Sequence, residues 1–222
     1  MTENIKNKIY IIGLGTGRCG TKSLAKLLND CQEVNVSHEF RREGYNHYLS
    51  WYYKDKFFKK RYDDLLTLEG KFIGDVASYY LNYIEEFKKK LPKLKVIYLY
   101  RNISEVIDSF MIKTQRPVGR EVNHWLSHKH KLFKEERFIK MKWDVCFPKY
   151  RIYNTKRELI KKYCEDYNIK IQELKEKYSN LIFPIDVKFL NDKLVQKALF
   201  DFIGIPKKYR NYQKVNENVG KK

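Results

Sequence analysis

The run Lys8-Ile9-Tyr10-Ile11-Ile12-Gly13-Leu14-Gly15-Thr16-Gly17-Arg18-Cys19-Gly20-Thr21-Lys22-Ser23-Leu24 constrains this chain more than any other stretch. An apolar β-type segment empties into a glycine loop that leads directly into an amphipathic helix. Gly15, Gly17 and Gly20 permit left-handed backbone and close approach of a ligand to the main chain. The N–H groups and positive dipole end of the following helix point at whatever binds there. Such a loop is an anion cradle, and a phosphate or sulfate group is its natural guest.

Two nucleotide motifs lie close to this loop. The Walker A pattern G-x-x-x-x-G-K-[ST] places lysine directly after its last glycine, but here Thr21 follows Gly20 and Lys22 and Ser23 each come one residue late. One residue turns a helical side chain by about 100°, so neither points where a nucleoside triphosphatase needs it. Gly15, Gly17 and Gly20 satisfy the G-x-G-x-x-G spacing of a dinucleotide site, and Glu39 stands about where that site carries its acidic residue. Arg18 fits that reading poorly, because a forked, permanent positive charge inside the loop suits a dianionic group.

The chain has 222 residues and is 43% hydrophobic, enough for a substantial core in one domain spanning residues 1–222 without disulfides or metals. Its formal net charge of +19 favours anionic partners. The lysines are spread along the chain rather than gathered in one tail, which reads as solvated surface before a nucleic-acid-binding face. Cys19, Cys31, Cys146 and Cys164 show no C-x-x-C spacing, so reduced thiols are expected. No apolar run approaches a membrane span, and Met1 to Asn7 lacks the apolar core of a signal peptide. The expectation is a soluble, cytoplasmic protein.

Alternating elements follow the loop: strand 8–14, helix 20–30, a short strand at Val34-Asn35-Val36, and a Tyr- and Lys-rich helix from Tyr45 to Leu66. Lys71 to Asp75 reads as a strand, Tyr79 to Lys90 as a helix ended by Pro92, Lys95 to Tyr100 as a strand and Ile103 to Ile112 as a helix. Glu121 to Tyr178 is charged, aromatic and mostly helical in pattern, with a break near Pro148. Asn180 to Val187 is a strand, and Asp192 to Ile203 a helix ended by Gly204 and Pro206. This order predicts an α/β fold with a central parallel sheet flanked by helices and a helical insertion.

A second anion element begins where the strand ending at Tyr100 stops. Arg101 sits at the strand end, and Ser109 and Lys113 lie four apart on the next helix, so they share a face. Ligands of open parallel sheets bind beyond the carboxyl ends of the strands, where both this segment and the glycine loop fall. Two such elements on one crevice predict a ligand with two separated anionic groups.

Together the two segments resemble the sulfotransferases that use 3′-phosphoadenosine 5′-phosphosulfate. Gly17-Arg18-Cys19-Gly20-Thr21-Lys22-Ser23 is similar to their 5′-phosphosulfate loop, R-S-G-T-[TK]-S, with Cys19 in place of the usual serine. Arg101 through Ser109 is similar to their 3′-phosphate element, and Lys113 falls where the tyrosylprotein sulfotransferases carry a further basic residue. Ile73-Gly74-Asp75, the Phe183 to Val187 segment and Phe200 to Pro206 resemble further family elements, so the likeness touches most of the chain. The resemblance implies a P-loop-like three-layer fold and sulfuryl transfer to a hydroxyl or amine without a metal. It implies that Thr16, Gly17, Arg18, Cys19, Gly20, Thr21, Lys22, Ser23, Arg101, Ser109 and Lys113 bind the donor. The expected acceptor is a small molecule, carbohydrate or peptide, in a pocket expected to be built from Arg41 to Leu66 and Met111 to Tyr150.

Sulfuryl transfer needs in-line attack, positive groups around the developing charge and a base for the acceptor's proton. Arg18 and Lys22 supply positive charge. Ser37-His38-Glu39 offers two bases: a glutamate spaced like Glu39 serves the tyrosylprotein group, and a histidine serves the cytosolic group. Strand alternation lets only one of these neighbours face the crevice, and Glu39 is preferred. Val76 departs from the lysine many relatives carry after their Gly-[DE] pair. His124 and His128 stand at i, i+4 on an expected helix, with His130 beyond, but neighbouring lysines oppose a metal there. A nucleotide kinase-like phosphotransferase and a basic nucleic-acid-binding module are the competing readings, with a fold that has lost catalysis behind them.

Overall fold

The computed structural model describes residues 7–40, 48–52, 57–115, 122–126, 142–151 and 155–216. Their elements are β1 (Ile9–Leu14), α1 (Thr21–Asn29), β2 (Val34–His38), α2 (Phe58–Leu66) and β3 (Phe72–Val76). A 3₁₀ turn, Ser78–Tyr83, then runs into α3 (Ile84–Lys90). The chain continues through β4 (Leu94–Tyr100), α4 (Ile103–Lys113), a second 3₁₀ turn (Lys142–Cys146), α5 (Lys156–Lys177), β5 (Ile182–Asp186) and α6 (Lys193–Ile203).

The five strands form one parallel sheet in the order β2-β3-β1-β4-β5. After β1 the chain crosses to β2 and returns to β3, then passes to β4 and β5 on the other side. The order therefore reverses at β1, where parallel sheets open a crevice at their carboxyl ends. Both anion elements end up beside it, because β1 and β4 are neighbours and each empties into one of them.

Alternation along β1 sorts the core into two layers. Tyr10, Ile12 and Leu14 face a layer that includes Ile84 and Phe87 of α3, Phe110 of α4 and Tyr163, Tyr167 and Ile171 of α5. Ile11 faces the opposite layer, with Leu24, Leu27 and Leu28 of α1 and Leu199, Phe200 and Ile203 of α6. Helices on both faces explain why the strands read as nearly continuous apolar runs. This is the α/β, P-loop-like three-layer architecture predicted from the sequence.

The chain departs from the predicted elements in three places. In the expected Tyr45–Leu66 helix, residues 48–52 are irregular: the Trp51 N–H donates to Val145 O and Asn82 reaches the Trp51 carbonyl, so its backbone bonds leave the segment. The expected Tyr79–Lys90 helix opens as a 3₁₀ turn, with Tyr79, Tyr80 and Tyr83 all buried. Within the expected helical insertion, residues 122–126 form a bend closed by a bridge from Leu126 to Tyr150. By contrast α5 runs for 22 residues behind a capping box in which Thr155 and Glu158 satisfy each other's backbone N–H groups.

Candidate active site

The glycine loop is built by backbone that few side chains tolerate. Gly17, Arg18 and Gly20 have φ of 83°, 58° and 84°, so three of four successive residues are left-handed. Glycine is required at position 20 for a second reason: an added Cβ would lie 2.6 Å from Val187 Cγ2. Gly20 is also the N-cap of α1, where no side chain caps the helix and the first turn holds no acidic residue. The positive end of the helix dipole is thus left for an external anion.

Two tyrosines of α5 hold the loop from below. The Gly15 N–H donates to Tyr167 Oη at 3.0 Å, and Tyr163 Oη donates to the Thr16 carbonyl at 2.8 Å. Tyr167 Oη in turn donates to the Ser78 carbonyl at 3.1 Å. Sequence reasoning missed both residues. Their signal was the i, i+4 spacing of two aromatic residues on an inward helix face, which does not say what the hydroxyls touch. Cys19 is fully buried, and burial pushes its thiol up to about 11. Its side chain packs under the loop with Leu24 and Leu99, so only its backbone can meet an anion. Thr16, Thr21 and Ser23 are also buried, whereas Lys22 is exposed.

Arg18 joins the loop to the second element. Its Nε donates to Ser109 Oγ at 2.9 Å, and Arg101 Nη1 donates to the Arg18 carbonyl at 3.3 Å. Burial and then the charge of Arg101 pull the Arg18 guanidinium below its ordinary value. Like charges disfavour each other, and a neighbouring anion offsets that cost. Glu105 takes part of that role for Arg101, accepting from its Nε at 2.6 Å.

Two cavities meet at Arg18. One, of about 300 Å³, is lined by Arg18, Gly20, Ser23, Arg101, Glu105 and Ser109, and by Val187, Lys188, Leu190, Asn191, Val215 and Asn216. Asn191 anchors the far wall by accepting from the Val215 N–H at 2.8 Å. The other, of about 360 Å³, is lined by Gly17, Arg18, Thr21, Lys22, His38, Glu39 and Lys113, together with the rings of Tyr48, Tyr79, Phe110, Trp143 and Phe147, and Ser78 and Cys146. Ser109 and Lys113 are therefore divided, one to each cavity, although they share a helix face.

His38 and Glu39 both border the second cavity. Alternation was expected to admit only one of them, but β2 ends at His38 and Glu39 lies beyond it with φ of 58°, where the two sheet faces no longer part. His38 Nε2 lies 3.0 Å from Thr21 Oγ1 at the start of α1.

A sulfotransferase domain model matches residues 10–187, which takes in both anion elements and, but for Ile9, all five strands. The chain belongs to the sulfotransferase family. A search of curated protein sequences finds no match. Two solved sulfotransferase structures are similar to it. One, from Alicyclobacillus acidocaldarius, is 14% identical with a TM-score of 0.53 and covers 95% of this chain and 84% of its own. The other, mouse SULT7A1 complexed with PAP, is also 14% identical, with a TM-score of 0.48, covering 90% of this chain and 59% of its own. At such identity the first of these likenesses speaks for the fold. Family membership carries the reaction: this sulfotransferase is an enzyme that transfers a sulfuryl group from 3′-phosphoadenosine 5′-phosphosulfate.

The Val76 departure and the His124 cluster of this sulfotransferase acquire a physical setting. Val76 is fully buried and packs against Gly13, where an added Cβ would meet its Cγ1 at 2.6 Å. Arg18, Lys22 and Lys113 are the basic residues lining the second cavity. His124, expected on a helix, sits in the 122–126 bend, fully buried, with Nδ1 bonded to Asp144 and its ring stacked on Phe147. It is a core residue; His128 and His130 lie outside the described residues. Among the described residues no cluster of His, Cys, Asp and Glu is arranged to hold a metal, and no helix is long and apolar enough to cross a membrane.

Proposed function

We propose that this sulfotransferase binds its donor across the first cavity and transfers the sulfuryl group at Arg18 to a hydroxyl or amine held in the second. The observation that carries this reading is the meeting of the two cavities at one arginine, with Arg101 and Ser109 on one side and His38, Glu39 and Lys22 on the other. Arg101 and Ser109 hold the 3′-phosphate. The loop backbone from Thr16 to Ser23 and the α1 N-terminus hold the 5′-phosphosulfate.

In the transfer the acceptor oxygen or nitrogen forms a bond to sulfur while the bond from sulfur to the bridging phosphate oxygen breaks. Charge grows on that departing oxygen, where Arg18, Lys22 and the helix dipole stabilise it. Glu39 takes the acceptor's proton, and His38, tied to Thr21, is its alternative. No step here draws on a metal. The aromatic rings of the second cavity enclose the acceptor, and Lys113 stands beside it at the end of α4.

Incubation with sulfur-labelled donor and a panel of phenols, sugars, amines and tyrosyl peptides tests the reading. Transfer of label that Glu39→Gln lowers by roughly 100-fold or more at saturating donor is expected of a general base. Undiminished transfer in that variant contradicts the role given to Glu39 and moves it to His38.

A further inference from the structure

Asp75 is fully buried near the end of β3, and none of the steps above uses it. Its register partner across the sheet is Ser37. Ser37 Oγ donates to Asp75 Oδ1 at 2.8 Å, and the Phe40 N–H donates to the same oxygen at 3.3 Å. Tyr80 Oη donates to Oδ2 at 2.6 Å. One carboxylate thus holds the residue before the His38–Glu39 pair and the residue after it.

What lies between needs holding. Glu39 and Phe40 have φ of 58° and 39°, and left-handed backbone is unfavourable for a non-glycine residue. Strain of this kind persists only where its surroundings over-determine it. A further tie comes from the Glu39 N–H, which donates to the Val76 carbonyl at 3.2 Å. Behind the turn Arg61, 1% exposed, lies 5.7 Å from the Phe40 ring centre and 5.6 Å from that of Tyr79. Its charge attracts the Asp75 carboxylate, which burial by itself drives toward the neutral form.

We propose that Asp75 is a positioning residue that clamps the Ser37–Phe40 turn and thereby sets where His38 and Glu39 meet the acceptor. The proposal rests on the base being carried by that turn, and it separates two functions of one buried group. The hydrogen bonds of Asp75 position the turn, while its charge steadies Arg61. Asparagine can retain the first without the second, since its carbonyl oxygen still accepts from Ser37 and Phe40 and its amide can donate to the Tyr80 hydroxyl.

The test compares Asp75→Asn, Asp75→Ala and Glu39→Gln in the full chain. It follows release of 3′,5′-adenosine bisphosphate from the donor with 2-naphthol as probe acceptor, bisphosphate affinity, Tm, and hydrogen exchange of the Glu39 and Phe40 amides. Asp75→Ala is expected to lose about 100-fold in kcat, the scale of a 1 Å misplacement, with bisphosphate affinity little changed and both amides exchanging faster. Asp75→Asn is expected to lower Tm yet keep most of kcat and the amide protection. Should Asp75→Ala not fold, Ser37→Ala, which removes one arm of the clamp, shows the same pattern more weakly. A kcat that follows Tm across the variants makes Asp75 merely structural and overturns the proposal, as does unchanged amide exchange in Asp75→Ala. Full turnover in Glu39→Gln contradicts the base instead, and full turnover in Asp75→Ala beside an inactive Glu39→Gln contradicts the clamp alone. In the double variant Asp75→Ala adds little to Glu39→Gln; losses that multiply overturn the proposal.

Discussion

Arg18 is the residue on which the site turns. It occupies left-handed backbone, bonds Ser109 through Nε, receives Arg101 on its carbonyl and borders both cavities. An arginine fits this post because its guanidinium stays charged when half-buried and presents several donors in one plane. Lysine would supply charge without the fork, so Arg18→Lys is expected to retain donor binding better than turnover, as single-turnover kinetics would show. Gly20→Ala is expected to destabilise the enzyme by about 2 kcal/mol or more, from left-handed strain and from contact with Val187; chemical denaturation measures it. Cys19 marks where sequence reading falls short at this scale. Its position in the motif assigns it to the loop, but only packing decides that its thiol points inward. With all four cysteines buried and the Cys19 thiol pushed up to about 11, the native enzyme is expected to resist thiol alkylation until unfolded.

Among the elements, the strands were the most legible. Their apolar runs and the glycine or proline stops beside them define β1, β3 and β4 to within a residue, because burial on both faces favours near-continuous apolar side chains, with Asp75 and Lys95 the exceptions. The helices facing the sheet were legible for the same reason. What failed were the segments whose backbone bonds go elsewhere: residues 48–52, tied to Val145 and Asn82, and the His124 bend, tied to Tyr150 and Lys149. Their aromatic, lysine-rich composition imitates an amphipathic helix, and no local pattern reveals a long-range partner. The same is true of α5, whose helical character is legible in sequence but whose support of the glycine loop is not. Removing the Tyr167 hydroxyl leaves the buried Gly15 N–H without its acceptor, so Tyr167→Phe is expected to cost about 1–3 kcal/mol. Tyr163→Phe removes a donor from the Thr16 carbonyl and loosens the loop from its other side; weaker bisphosphate binding in both variants distinguishes this brace from general packing.

For the whole molecule, charge and pH set the conditions in which the enzyme works. A net charge of +19 draws an anionic donor toward the crevice, so its association rate is expected to fall as salt rises while kcat holds. Stability carries a pH dependence from His124, which burial holds below its ordinary 6.5 although Asp144 pulls the other way. The folded state then refuses a proton that the unfolded chain accepts. The stability contributed by neutral His124 is full above pH 6.5 and is lost as pH falls through that value toward the folded one. Tm is thus expected to decline between about pH 7 and 5, and less steeply in His124→Gln.

In the proposed function two anion sites act on one ligand. Calorimetric titration of the enzyme and its Arg101→Ala variant with adenosine 3′,5′-bisphosphate, and with adenosine 5′-monophosphate, which lacks the 3′-phosphate, tests this directly. The unaltered enzyme should prefer the bisphosphate, and Arg101→Ala should lose about 2 kcal/mol, or roughly 30-fold, for that ligand alone. Equal affinity for both nucleotides, or an equal loss for both in the variant, would contradict the assignment of Arg101 to the 3′-phosphate and with it the reading of the paired cavities.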